Sequence, residues 1–179
     1  MPVNLGLINK IEGWFSMLEM EVLYPYVEKL KPGSILVEIG TYHGKSTLFF
    51  RLANPNINIL TIDVCDITGM NPNYDDGNIK IPEKIDDTVL EYGNIFQVKG
   101  NSHEVVKRFN WKIDFLFIDS LHSYKDTQDN LNEWGKYLKP DSYIGCHDFT
   151  TAFPDVLRAV YDSDYQVVEA RNGIGILKI

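Results

Sequence analysis

Three short segments carry residue types that do chemistry: ILVEIGTYHGKS (Ile35 to Ser46), FIDSLHSY (Phe117 to Tyr124) and HDF (His147 to Phe149). The first packs an apolar run, a carboxylate at Glu38 and the glycines Gly40 and Gly44 into one junction. A glycine turn between a strand and a helix is where α/β folds hold cofactors. A Walker loop, G-x-x-x-x-G-K-[ST], cradles phosphates with backbone N–H groups. Between Gly40 and Gly44 stand three residues instead of four, so that cradle is one residue short. A dinucleotide fingerprint, G-x-G-x-x-G, needs a glycine where Tyr42 stands, and it fails as well. A turn that merely closes a βα unit is the plain alternative. The other two segments offer Asp119, His122, His147 and Asp148, groups able to move protons or to hold a metal ion.

These segments need strands to carry them. The apolar pattern alternates helix-like with strand-like stretches, the signature of an α/β sheet. It predicts a helix from about Leu7 to Leu30, ended by Lys31-Pro32-Gly33, then strands over Ile35 to Ile39 and Ile57 to Ile62, the second closing on Asp63. Residues 64–94 read as an insertion after the second strand, partly loop, with a short helix around Ile85 to Tyr92. Further strands fall at Ile95 to Val98, Ile113 to Ile118 and Tyr143 to Cys146, the last after the turn Lys139-Pro140-Asp141-Ser142. Helices lie around Glu104 to Phe109, Tyr124 to Tyr137 and Ala152 to Asp162. Two strands, Gln166 to Ala170 and Gly175 to Ile179, end the sequence as a hairpin across Arg171-Asn172-Gly173. In an open parallel sheet ligands sit beyond the carboxyl ends of the strands, so the three segments face one crevice.

The 179 residues suffice for one domain with its own core, with residues 1–32 as an N-terminal helix. A net charge of −8 argues against nucleic acid, whose affinity comes from Lys and Arg neutralising phosphates. A small-molecule partner fits better. No run reaches the roughly 18 apolar residues of a membrane span, and the N-terminus lacks the basic start of a signal peptide. Cys65 and Cys146, far apart, read as reduced thiols in a cytoplasmic protein. Lys125, Lys136 and Lys139 read as a solvated face and Trp134 and Leu131 as core; Trp14 and Trp111 carry no functional signal. A homodimer is the commonest assembly for such a chain.

An acid near the end of the first strand followed by Gly-x-x-x-Gly resembles motif I of the class I S-adenosylmethionine-dependent methyltransferases. That cofactor carries no phosphate, and a carboxylate such as Glu38 can hold its ammonium side. The C-terminal hairpin fits the same class. The combination EIGTYHGKS, FIDSLHSY with Asp126 and Trp134, Leu138-Lys139-Pro140 and HDF is similar to the type 24 methyltransferases over roughly residues 33–150. Those are related to antibiotic-sugar and catechol-type O-methyltransferases and to cephalosporin hydroxylase-like proteins. The resemblance implies a Rossmann-like fold with a mostly parallel seven-stranded sheet, an antiparallel C-terminal strand and helices on both faces.

It also implies roles. Glu38, Gly40, Thr41, Gly44, Ser46, Asp63, Asn101, Ser102 and Asp119 would bind S-adenosylmethionine, with Asp63 on the ribose and Asn101 and Ser102 beside the adenine. Asp119, His147 and Asp148 would hold a divalent metal, magnesium, manganese or iron; the histidine departs from the carboxylate or amide usual in relatives, suits magnesium poorly, and suggests manganese, iron or zinc or else a place behind the ligands. His122 stands where catechol-type relatives carry a lysine that takes the proton of the acceptor hydroxyl, and a neutral imidazole can do the same. A hydrogen bond at a helix start, to Asp126, is its plain alternative. The activity implied is O-methylation of a small molecule or sugar. Two other readings stay open: a hydroxylase-like enzyme with His122, His147 and Asp148 as an iron site, and a cofactor-binding module without catalysis.

Overall fold

The computed structural model describes residues 1–65 and 84–178. The predicted insertion over residues 64–94 falls mostly outside the described residues. Within it, the expected short helix is present as Asp87–Leu90.

Seven strands form one sheet: β1 (Ile35–Ile39), β2 (Asn58–Asp63), β3 (Ile95–Lys99), β4 (Ile113–Ile118), β5 (Leu138–Cys146), β6 (Gln166–Arg171) and β7 (Ile174–Lys178). Their order across the sheet is β3-β2-β1-β4-β5-β7-β6, and only β7 runs antiparallel to its neighbours. The helices are α1 (Leu5–Ile8), α2 (Met17–Val27), α3 (Lys45–Ala53), α4 (Asp87–Leu90), α5 (Ser102–Val105), α6 (Tyr124–Trp134) and α7 (Pro154–Tyr161). Among the described residues no helix is long and apolar enough to cross a membrane.

The central strands are mainly apolar on both faces because helices cover both. Alternate residues of a strand point to opposite sides. Leu36, Ile59, Phe115 and Phe117 pack with Leu23 and Val27 of α2 and Phe49 and Phe50 of α3. Val37, Leu60, Leu116 and Ile118 pack with Leu131 and Trp134 of α6 and Val160 of α7.

The two largest departures from the sequence reading lie before α2 and at the start of β5. The long helix expected over Leu7 to Leu30 is two helices, because Gly13 takes a φ of +146° and Ser16 starts α2 afresh. The Ser16 hydroxyl accepts from the Glu19 N–H and the Glu19 carboxylate accepts from the Ser16 N–H, a capping box that favours a helix start here. Strand β5 begins at Leu138 instead of Tyr143. Leu138 pairs with Ile113, and the ladder resumes at Phe115 and Tyr143. The expected turn is therefore an irregularity inside one strand, with Asp141 at a φ of +65° and the Lys139 ammonium on the Asp114 carboxylate at 2.8 Å.

Candidate active site

The crevice residues are set by the parallel ladder, which runs one step beyond the strand ends. The Gly40 N–H donates to the Ile62 carbonyl at 2.8 Å, that of Asp119 to Ile39 at 2.8 Å and that of His147 to Ile118 at 2.9 Å. Gly40, Asp119 and His147 thus follow one another along the carboxyl edge of the sheet. The approach at its centre is close: a Cβ on Gly40, at a φ of +89°, would lie 1.7 Å from the Asp119 carbonyl oxygen. Only glycine fits there.

On the β1–β2 side, the two acids serve the turn itself. Asp63 Oδ2 accepts the N–H groups of Thr41 at 2.7 Å and Tyr42 at 2.8 Å, and Oδ1 accepts that of Cys65 at 2.7 Å. The bonds to Thr41 and Tyr42 pin the glycine turn to the end of β2, with Tyr42 in the left-handed region at a φ of +49°. The Thr41 hydroxyl faces that of Thr61 in the interior. Glu38 has no exposed surface and accepts the hydroxyls of Ser46 and Thr47, both on the first turn of α3. Burial pushes its carboxyl up to about 7, with the hydroxyls pulling the other way and the Asp119 charge adding to the rise. Glu38 and Ser46, expected on the cofactor, are in direct contact with each other.

Gly44 starts α3 from a left-handed φ of +90°, and a Cβ there would strike Ile85 at 2.3 Å. The segment before α2 covers this turn. Tyr42 donates its hydroxyl to Glu12 at 2.8 Å, Lys45 its ammonium to the Gly13 carbonyl at 3.1 Å, and the Trp14 ring lies 5.2 Å from that of Tyr42. His43 faces Glu12 at 3.7 Å.

Asn101 caps α5, accepting the His103 N–H at 2.8 Å. The Ser102 hydroxyl turns inward to Asn130 at 2.8 Å, within a network that joins Ser120, Asp126 and Asn130. Sequence reasoning offered Asp126 as a partner for His122 only in the plain alternative to its role as a base. Asp126 instead accepts the Ser120 hydroxyl at 2.6 Å and lies 3.2 Å from His103.

On the β4–β5 side, acids meet imidazoles. Asp119, His122 and Asp148 can each present one atom within 4.8 Å of the others. His122 Nε2 is 2.8 Å from Asp148 Oδ2 and 3.8 Å from Asp119 Oδ1, and its ring lies 4.5 Å from that of Phe153. His147 Nδ1 is 3.2 Å from Asp119 Oδ1 and 3.1 Å from Asp148 Oδ2, while its Nε2 is 3.2 Å from Glu19 Oε1. These ring nitrogens are buried at ion-pair distance, yet none has a carboxylate on the line of a hydrogen bond.

Burial lowers both imidazoles, and the surrounding carboxylates outweigh it: His122 rises to about 9 and His147 higher still. Burial raises Asp119 and Asp148, and the two imidazoles more than reverse this, holding both below the usual carboxylate range. The Cys146 thiol, pushed up to about 12 by burial, is no nucleophile.

The donor chemistry fits a divalent ion, with two carboxylates and an imidazole in one group and buried ring nitrogens facing them. The group consists of Asp119, His122 and Asp148; His147, expected in the divalent-metal set with Asp119 and Asp148 and in the iron set with His122 and Asp148, lies beside it, its Nδ1 3.2 and 3.1 Å from the two carboxylates. Glu19 is the residue that the sequence reading missed. Its capping box was legible as S-x-x-E, but nothing local ties it to His147.

Comparison with known proteins follows the same lines. Residues 37–149 match the family described as a methyltransferase domain. An uncharacterised protein, R132, of Acanthamoeba polyphaga mimivirus is 28% identical in an alignment of 127 residues that covers 63% of this chain and 50% of that protein. The chain thus spans about half the length of that curated relative. Among solved structures, the calicheamicin methyltransferase CalS11 superposes with a TM-score of 0.67 at 17% identity, over 89% of this chain and 77% of the other. The O-methyltransferase NovP gives 0.68 at 15%, over 89% and 78%. A Bacillus cereus O-methyltransferase in complex with SAH gives 0.65 at 13%, over 98% and 88%. At these identities the likeness concerns the fold. Sequence match and architecture agree: the chain belongs to the type 24 methyltransferase-domain family and has the Rossmann-like fold of class I S-adenosylmethionine-dependent methyltransferases.

Proposed function

We propose that this protein moves the methyl group of S-adenosylmethionine to a hydroxyl oxygen of a small molecule, sugars included, with a divalent metal ion beside the acceptor. The observation that carries this reading is the meeting of Asp119, His122 and Asp148 one ladder step from the glycine turn. In the transfer an O–CH3 bond forms, the S–CH3 bond breaks, the sulfonium becomes a neutral thioether and the hydroxyl proton leaves. Oxygen, carbon and sulfur must lie in line, so holding both reactants at the sheet edge accounts for much of the rate.

Asp63 holds the turn and keeps one acceptor position for a ribose hydroxyl, since two carboxylate oxygens offer about four such positions and three N–H groups take three of them here. Glu38 acts through Ser46 and Thr47, bracing the first turn of α3. Asn101 borders the adenine with its free amide N–H2 and Ser102 with its backbone, because their oxygens are engaged with His103 and Asn130. A bound divalent ion would lower the pKa of the acceptor hydroxyl. Asp119, His147 and Asp148 are its proposed holders. His122 receives the acceptor proton, after first giving up the one that Asp119 and Asp148 stabilise on it.

The test is calorimetric titration with S-adenosylhomocysteine, followed by methyl-transfer assays on hydroxyl acceptors with and without chelation. One-to-one binding and metal-sensitive turnover are expected. Binding without turnover on any acceptor would leave a cofactor-binding module, and no binding would sink the reading.

A further inference from the structure

The Glu19–His147 contact joins α2 to the acidic centre and has no part in holding the helix. Glu19 uses Oε2 for the Ser16 N–H and turns Oε1 to His147 Nε2 at 3.2 Å. The His147 side chain is only 5% exposed and lies 6.1 Å from the Phe15 ring and 6.3 Å from the Phe117 ring, measured between ring centroids. Packing holds the ring, with Glu19 at ion-pair distance on one side. Its other nitrogen, Nδ1, faces Asp119 and Asp148 at 3.2 and 3.1 Å, and neither ring nitrogen has a carboxylate on the line of a hydrogen bond.

Those separations suit ligands of one ion. Donors each about 2.1 Å from a metal sit about 3.0 to 3.4 Å apart in octahedral or tetrahedral arrangement. A metal-bound histidine almost always gives its second N–H to a carboxylate, which fixes the tautomer and aims the free lone pair at the metal. Glu19 is placed to do this for His147. His122 is one-third exposed, and its Nε2 is the nitrogen already turned to the acids. It suits a group that exchanges protons better than a fixed ligand.

Resting on the metal-assisted reading above, we propose that Glu19 is a positioning residue that presents His147 Nδ1 to a divalent ion on Asp119 and Asp148. The centre then holds its ion by imidazole as well as oxygen. It selects manganese, iron, cobalt or zinc over magnesium, which prefers an all-oxygen shell.

The experiment is titration of the chelated full chain with manganese chloride and with magnesium chloride, with pulsed electron paramagnetic resonance of the manganese-loaded protein. Expected are nitrogen modulation from a bound imidazole and at least tenfold tighter binding of manganese than of magnesium. The modulation is expected to disappear in His147→Asn and to persist in His122→Ala. Glu19→Ala weakens manganese binding ten- to hundredfold, the usual cost of losing such a partner. Glu19→Gln, whose amide oxygen still accepts the ring N–H, restores most of it. Ser16→Ala removes a cap of α2 without touching His147 and leaves the affinity unchanged, which separates positioning from helix stability. No nitrogen modulation, modulation that survives His147→Asn, equal binding of both ions, no metal binding, or an unaltered Glu19→Ala would each overturn the proposal. Titration of S-adenosylhomocysteine into the same chelated sample judges the methyltransferase reading separately.

Discussion

The crevice has two sides that solve one problem, buried acids, by different means. On the β1–β2 side Glu38 and Asp63 are satisfied by neutral donors, hydroxyls for the first and backbone N–H groups for the second. On the β4–β5 side Asp119 and Asp148 are faced by imidazoles at ion-pair distance. Neutral donors leave a rigid frame whose shape is the product. Imidazoles leave a cluster whose charge can change, which is where proton transfer belongs.

The acids of the two sides also respond to pH with opposite sign. Glu38 keeps its proton up to about 7 in the folded protein and loses it near 4.5 elsewhere. Between those values the folded state binds the extra proton, so its contribution to stability falls as pH rises. Asp119 and Asp148 are lowered, so their contribution is present above the usual carboxylate range and is lost as pH falls.

The most drastic way to break the comparison is to separate the sides. Gly40→Ala forces a Cβ into the Asp119 carbonyl at a left-handed φ and is expected to cost several kcal/mol, about 3 or more, visible as a lost or strongly lowered thermal transition. Next, His122→Ala tests the chemical side alone: methyl transfer slows about a hundredfold or more while S-adenosylhomocysteine binds as before. Unchanged turnover would remove the proposed base. Asp63→Ala tests the frame, releasing the N–H groups of Thr41, Tyr42 and Cys65; it is expected to weaken S-adenosylhomocysteine about tenfold and to destabilise the fold by about 2 kcal/mol. Tight binding by that variant would refute the pocket. The gentlest test is Glu38→Gln, which removes a pH dependence of up to about 3 kcal/mol between pH 4.5 and 7, read from denaturant midpoints across that range. A wild-type curve that the substitution leaves unaltered would mean that Glu38 is ionised in the folded protein.

Legibility in the sequence followed the same division. Strands β1 and β4 were readable to the residue, because each is an apolar run interrupted by a single acid, Glu38 or Asp114, and stopped by a glycine or an acid. The start of β5 was not, since Lys139, Pro140 and Asp141 read as a turn while the ladder passes through them as an irregularity. The break before α2 hid inside helical periodicity, although Gly13 and the S-x-x-E box marked it.

The sequence by itself determined the strand-forming runs, the glycine turn and the acids at the strand ends, because all of these are local patterns of residue type and spacing. From them came the sheet, the crevice and the family. Only the tertiary structure decided which partner each polar side chain answers to. Glu38 is given to α3, Asp63 to the turn, Ser102 to Asn130 and His147 to Glu19 on a distant helix. Such pairings depend on how helices dock across the sheet, and side chains far apart in the chain carry no mark of one another until packing brings them together.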